Sequence, residues 1–349
     1  MQDSFAAKLI AWHKHHGRHD LPWQGSHNPY AIWVSEIMLQ QTQVATVIPY
    51  YNRFMQRFPD IFSLGAATEE EVLTYWAGLG YYARGRNLRR AAQIIRDLYS
   101  GRFPSSLDEV AGLPGIGPST AAAICAFTFG QPHAILDGNV KRVLARAFGV
   151  SGYPGEKTVE NRLWQLSRSL VPSRSLETYT QALMDLGATV CTRSKPRCPA
   201  CPLENDCVAL RNGRVGELPS PRPSKALPQR YARLLVIRHG TDLLLEKRPG
   251  PGIWGGLWSL PETEPDADPA QVCLRLSGQA PEKVQRLPGL SHSFTHFRLH
   301  IEPLEVMVTR KPVRTSESPG QIWMPVDDAL HAAVPAPVKK ILSALILAA

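Results

Sequence analysis

Apolar side chains return every three or four positions through most of residues 5–189, the period of a helix with one buried face. Phe5, Leu9 and Trp12 predict a helix over 5–16, with Gly17 as its stop. Asn28-Pro29 supplies a cap and a first-turn proline for a helix from Tyr30 to about Thr46. More helices are expected across 50–99, from Ser119 to about Phe129, from about Val140, and over 159–170 and 177–189. Strand signals are almost absent here, so a mainly helical domain is expected over 1–210. Residues 211–229 break the pattern with four prolines, two glycines and little apolar content, and read as a linker. Beyond it, 231–238, 242–247 and 294–308 carry strand signals, with short helices over 272–276 and 337–348. A second, α+β domain is expected over 230–349.

Composition narrows the partners. The 349 residues carry a formal charge of +9, which favours a polyanion. The start of the chain carries Asp3 and no apolar leader, and the apolar run over 341–349 is far short of a bilayer span. No membrane association is expected. Four of the six cysteines crowd into 191–207. That is a metal pattern rather than a disulfide pattern, suited to a reducing cytoplasm.

Six stretches carry chemistry. Leu113-Pro-Gly-Ile-Gly-Pro118 is a tight turn whose backbone at Gly115 and Gly117 is bare. The helix it opens can receive a phosphate at its N-terminus. Asp137-Gly138-Asn139 then begins another helix, with Asp137 either a cap or a reactive carboxylate. Glu36 sits among Ile32, Trp33, Val34, Ile37, Met38 and Leu39, either at the helix surface or desolvated so that it keeps a proton near neutrality. Gln40-Gln41-Thr42-Gln43, on the same expected helix, suits base edges. Tyr81 and Tyr82 between glycines, followed by Arg84, Arg86, Arg89 and Arg90, suit stacking beside a phosphate backbone. Cys191, Cys198, Cys201 and Cys207 can wrap one structural centre, zinc or iron–sulfur, beneath a basic loop of Arg193, Lys195 and Arg197. His13, His15, His16 and His19 read as polar surface near a helix end.

Taken together, Ser35-Glu36-Ile-Met-Leu-Gln-Gln-Thr42, Gly78-Leu-Gly-Tyr-Tyr82, Leu113-Pro-Gly-Ile-Gly117, Leu136-Asp-Gly-Asn139 and the four-cysteine loop resemble adenine DNA glycosylases of the MutY type. These belong to the helix-hairpin-helix superfamily with endonuclease III, and the resemblance runs nearly end to end. It implies a helix-hairpin-helix domain with one [4Fe-4S] cluster on the four cysteines, then a Nudix-like α+β domain. It also implies a monomer acting on duplex DNA that contains adenine opposite 8-oxoguanine or guanine. The adenine would be flipped out of the stack. Glu36 would protonate it at N7, and Asp137 would stabilise the sugar cation by charge or a short-lived adduct, with Asn139 in the same motif. Trp23, Leu39 and Gln181 would line the adenine pocket, while Gln41 and Tyr81 would probe the gap and the lesion side.

Two departures bear on the chemistry. Lyase relatives carry a Schiff-base lysine where this chain has Ser119, so a monofunctional glycosylase is expected, with Lys141 a source of weak adventitious imine at most. The Nudix-like domain lacks the carboxylate-rich metal motif, so it reads as a lesion reader without hydrolase activity. Its Phe294-Thr295-His296 replaces the family's Phe-Ser-His, keeping the hydroxyl and adding a methyl. Two other classes compete: a bifunctional glycosylase/lyase for oxidised pyrimidines, and a catalytically silent DNA-binding protein.

Overall fold

The structure, a computed structural model, describes residues 2–223, 226–250, 252–310 and 320–348. Helices come first in the chain: α1 (Gln2–His16), α2 (Pro29–Leu39), α3 (Val44–Arg57), α4 (Ile61–Ala66), α5 (Glu69–Trp76) and α6 (Ala83–Leu98). They continue as α7 (Leu107–Gly112), α8 (Pro118–Phe129), α9 (Gly138–Ala147), α10 (Lys157–Ser169), α11 (Leu176–Thr189) and α12 (Val208–Arg211). Strands then appear: β1 (Gln229–His239), β2 (Asp242–Lys247), β3 (Trp258–Ser259), β4 (Glu262–Thr263), α13 (Pro269–Ser277), β5 (Lys283–Arg286), β6 (Leu290–Ser293), β7 (Arg298–Met307), β8 (Gln321–Pro325), α14 (Val326–His331) and α15 (Ala336–Ala348). The chain divides into two compact units, one of residues 1–66 and 87–224, the other of 67–86 and 225–349.

The first unit is helical. Leu9, Ala122, Leu136, Val140, Leu144, Leu163, Leu183 and Leu186 share one buried cluster drawn from α1, α8, α9, α10 and α11. Within it α7, the turn 113–117 and α8 form a helical hairpin. Gly115 holds φ +82°, and a Cβ there would lie 2.9 Å from Asn87 Cβ, so the turn needs glycine. Gly117 is extended (φ −90°) and caps α8 with no side-chain bond.

The predicted helix over 30–46 is in fact two. α2 ends at Leu39, whose carbonyl receives the Thr42 N–H at 3.2 Å, and Gln41 turns left-handed at φ +58°. Gln41 and Gln43 therefore stand at a break, not on a helix face. The stretch 211–229 is not wholly a free linker either. Leu218 is buried, its carbonyl accepts from Arg146 Nε at 2.7 Å, and Ser220 Oγ accepts from the Gly152 N–H.

The second unit is built on a sheet ordered β3-β2-β1-β7-β5, with β4 on β1, β6 on β7 and β8 on β2. β1 and β7 are parallel over ten residue pairs; the other pairings are antiparallel. Ala232, Leu234 and Val236 of β1 pack with Val326, Ala329, Val338 and Leu342 of α14 and α15. Leu235 and Ile237 pack with Val272 and Cys273 of α13. This alternation buries the strand on both faces. The expected strand over 294–308 begins only at Arg298. Residues 294–297 instead form a turn, closed by Phe294 N–H donating to the Phe297 carbonyl at 2.9 Å.

Residues 67–86 complete this unit. Leu73 joins its core beside Leu234, Trp254 and Trp258. Glu70 accepts from Trp258 Nε1 at 2.7 Å and Lys247 Nζ at 2.8 Å, and these bonds hold its carboxyl below the usual range.

Candidate active site

Glu36 owes its place to the start of α2. Asn28 Oδ1 accepts the Tyr30 N–H at 3.0 Å and Pro29 occupies the first turn, which fixes the helix register. Glu36 then opens into a cavity of about 430 Å³ with Trp23, Ile32, Ser35, Phe127 and Gln181. Burial against this lining, and next the negative charge of Asp137, push its carboxyl from 4.5 up to about 8. The surface reading of Glu36 is thereby excluded. Trp23 stands edge-on to Tyr51, ring centroids 5.2 Å apart. Leu39 and Asp137 do not line the cavity.

Asp137 is indeed the N-cap of α9, accepting the Val140 N–H at 2.9 Å, and the cap orients its charge. Asn139 Nδ2 donates to Asp137 Oδ2 at 3.1 Å, and Asn139 Oδ1 accepts from Arg142 Nη2 at 2.9 Å. Arg142 also donates to the carbonyls of Gly187 and Cys191. Ser119 Oγ accepts the Leu136 N–H at 2.9 Å, tying α8 to the segment that delivers Asp137. Lys141 is paired with Glu160 at 2.7 Å. Gln40, expected at base edges, instead donates toward the Gly115 carbonyl and Thr120 Oγ1, steadying the hairpin turn.

Two of the expected site residues are exposed and have strained backbones. Gln41 (φ +58°) and Tyr81 (φ +49°) are both left-handed, a cost for non-glycine residues that clusters at functional sites. In the second unit, Tyr81 OH lies 3.3 Å from Thr295 Oγ1, a pairing that no sequence spacing revealed. Phe294 stacks on Phe297 with centroids 4.6 Å apart, and Thr295 and His296 project outward.

The basic run beside Tyr81 needs correction. Arg84 is buried, donates to the carbonyls of Leu79 and Gly80 and lies under the rings of Trp76 and Tyr81. Arg86 donates to the Gly255 carbonyl at 2.6 Å. Tyr82 packs against the core. These three groups are structural, because the residues 67–86 are embedded in the second unit. The histidine reading also fails at His13, which is buried.

All four clustered cysteines line one cavity with Arg146, Val190, Pro196 and Leu210. Short 3₁₀ turns over Cys198–Ala200 and Glu204–Asp206 wrap the chain around it. Arg146 Nη1 lies 3.4 Å from Cys191 Sγ. Among the described residues no three His, Cys, Asp or Glu side chains gather as ligands of one ion. Four soft donors, a low-polarity wall and a nearby guanidinium fit a thiolate-bound cluster.

Asp185 was missed altogether. It is fully buried on α11 and accepts from Arg18 Nε and Nη2, the Arg18 N–H, and Gln181 Nε2 at 2.8 Å. His13 Nε2 stands 3.3 Å away. Its partners Arg18, His13 and Gln181 all line the Glu36 cavity. The signal was present: an acid four residues after Gln181 on one helix, amid apolar neighbours.

A helical hairpin closing on an Asp-capped helix, beside a cavity holding a proton-retaining carboxyl, defines a class. A family model described as "HhH-GPD superfamily base excision DNA repair protein" matches residues 34–169, and a NUDIX domain model matches 232–344. A solved thermostable thymine-DNA glycosylase is similar at 28% identity and TM-score 0.55, over 60% of this chain and 97% of that one. A non-covalent endonuclease III–DNA complex shares the fold at TM-score 0.51 and 21% identity, over 61% of this chain and 98% of that one. The protein is a base-excision DNA glycosylase of the helix-hairpin-helix class.

More narrowly, the chain belongs to the adenine DNA glycosylase family. It is 36% identical to the adenine DNA glycosylase of Buchnera aphidicola subsp. Acyrthosiphon pisum, over 97% of this chain and 96% of that protein. It is 33% identical to that of Mus musculus, over 97% of this chain and 77% of that protein. The protein is therefore an enzyme that hydrolyses N-glycosyl bonds in DNA. Among the described residues no helix is long and apolar enough to cross a membrane.

Proposed function

We propose that this enzyme excises adenine paired with 8-oxoguanine, and with guanine, from duplex DNA, working as a monofunctional cytoplasmic monomer. The observation that carries the chemistry is Glu36: a carboxyl raised to about 8 at the wall of a base-sized cavity. At neutral pH it holds a proton. Delivered to N7 of a flipped adenine, that proton lets the N9–C1′ bonding pair leave with the base. The sugar becomes an oxocarbenium ion, which the Asp137 carboxylate stabilises by charge. Water adds to C1′ and returns its proton to Glu36, leaving free adenine and an abasic site. Acid–base help of this kind is worth about 10²–10⁴-fold; field and positioning supply the rest.

Gly115, Gly117 and the open N-terminus of α8 are the phosphate grip, Gln41 enters the vacated stack, and Trp23 and Gln181 hold the base. Tyr81, Phe294, Thr295 and His296 read the lesion, a role supported by the Tyr81–Thr295 approach. Cys191, Cys198, Cys201 and Cys207 hold a structural [4Fe-4S] cluster that shapes the basic loop. Ser119 has no amine, and Lys141 is engaged by Glu160, so no efficient Schiff-base lyase step is available.

Single-turnover cleavage of a duplex with adenine opposite 8-oxoguanine tests the proposal. Wild type should release adenine and Glu36→Gln should lose nearly all activity. A tight complex without base release overturns it, and efficient borohydride capture on DNA overturns the monofunctional assignment.

A further inference from the structure

Gln181 lies at the cavity wall with Glu36, and its amide can face the cavity with either end. An ionised carboxylate only accepts hydrogen bonds. Asp185 is held ionised by its bonds to His13 and Arg18 and by the Arg18 charge, which together outweigh its burial and lower its carboxyl's pKa. The amide end that meets Asp185 is therefore the NH₂, as the 2.8 Å Nε2–Oδ1 contact records. Asp185 does not line the cavity, whereas Gln181 does. The carbonyl Oε1 is thus the end of the amide left for the bound base.

We propose that Asp185 is a positioning residue for base choice: by clamping the Gln181 amide it fixes a hydrogen-bond acceptor in the pocket, matched to a purine that bears a 6-amino group and set against one that bears a 6-oxo group. The proposal rests on the adenine reading above. Arg18 strengthens the clamp. Its Nε and Nη2 both donate to Asp185 Oδ1 at 2.9 and 2.5 Å and its N–H to Oδ2 at 2.8 Å, so the carboxylate cannot rotate away from Gln181. A 6-amino group donates to Oε1. A 6-oxo group would set two acceptors against each other, and a site built for one partner rejects a mismatch strongly.

The test uses the full chain on duplexes carrying adenine, unsubstituted purine or hypoxanthine opposite 8-oxoguanine, under single turnover. Asp185→Asn offers Gln181 a donor and lets its amide turn, so the adenine-to-hypoxanthine rate ratio should fall about tenfold or more. Gln181→Leu should slow adenine about tenfold more than it slows purine, which has no 6-substituent to read. Adding Asp185→Asn to Gln181→Leu should leave the ratio where Gln181→Leu put it. A purely structural Asp185 would slow all three bases equally, and that result, or an unchanged ratio, overturns the proposal. If Asp185→Asn does not fold, Gln181→Leu decides: a retained adenine-over-hypoxanthine preference overturns the proposal, its loss supports it. Wild type that releases none of the three bases would sink the adenine reading itself, a different outcome from an active enzyme with an unmoved ratio.

Discussion

Replacing Glu36 with glutamine should abolish excision and at the same time stabilise the fold at alkaline pH. Burial and the Asp137 charge raise the Glu36 carboxyl from 4.5 to about 8. The folded pKa thus lies above the unfolded one. Below about pH 4.5 both states carry the proton and the site costs nothing. Between 4.5 and 8 the unfolded chain releases the proton while the folded chain keeps it, so stability falls as pH rises. Above 8 the loss is complete. At 1.36 kcal/mol per tenfold, this displacement amounts to roughly 5 kcal/mol. Glutamine has nearly the same shape and does not titrate, so the variant escapes the loss. Its stability advantage over wild type should widen by about 3 kcal/mol between pH 5.5 and 8.5. For a domain of this size that is roughly 6–12 °C in Tm. Calorimetry of both proteins at the two pH values reads it directly. An advantage that does not change with pH would show that Glu36 titrates normally and cannot be the acid. The same displacement makes wild-type excision decline as pH passes about 8.

Other consequences follow from the remaining geometry. Thr295→Ala removes the hydroxyl beside Tyr81; the preference for 8-oxoguanine over guanine opposite the adenine should drop, by about tenfold or less, with excision of the base itself spared, as competing duplexes will show. Cys198→Ser takes one donor from the four-cysteine cavity, and purified protein should lose its brown absorbance near ~400 nm and its bound iron together. Gly187→Ala would set a Cβ 2.5 Å from Asn139 Cβ; overpacking of this kind costs about 1–3 kcal/mol, and because Asn139 braces Asp137 the excision rate should fall beyond what the lowered Tm explains.

Much of this protein is local in origin. The cap at Asn28-Pro29, the hairpin turn around Gly115, the Asp137 cap and the cysteine spacing are decided by neighbours along the chain. Short-range sterics and backbone hydrogen bonding set them, so they could be read directly. The strand signal over 231–238 was legible for the same reason, whereas its burial against two cores was seen only in the fold. Helix 30–46 misled because its apolar period runs on through a break that only the left-handed Gln41 reveals. The arginines after Tyr81 misled because charge alone does not say whether a guanidinium faces water or the carbonyls of its own turn.

What tertiary structure decided is which distant groups meet. Glu36 could have been a surface residue until packing buried it at a cavity wall and brought the Asp137 charge near. Helical spacing brings Gln181 to Asp185, but nothing along the chain declares that Arg18 reaches the same buried carboxylate, and nothing links Tyr81 to Thr295 except the fold of the second unit. A side chain's identity is a property of the chain. Its proton affinity, and the direction in which its amide faces, belong to the low-dielectric surroundings that folding assembles from remote segments.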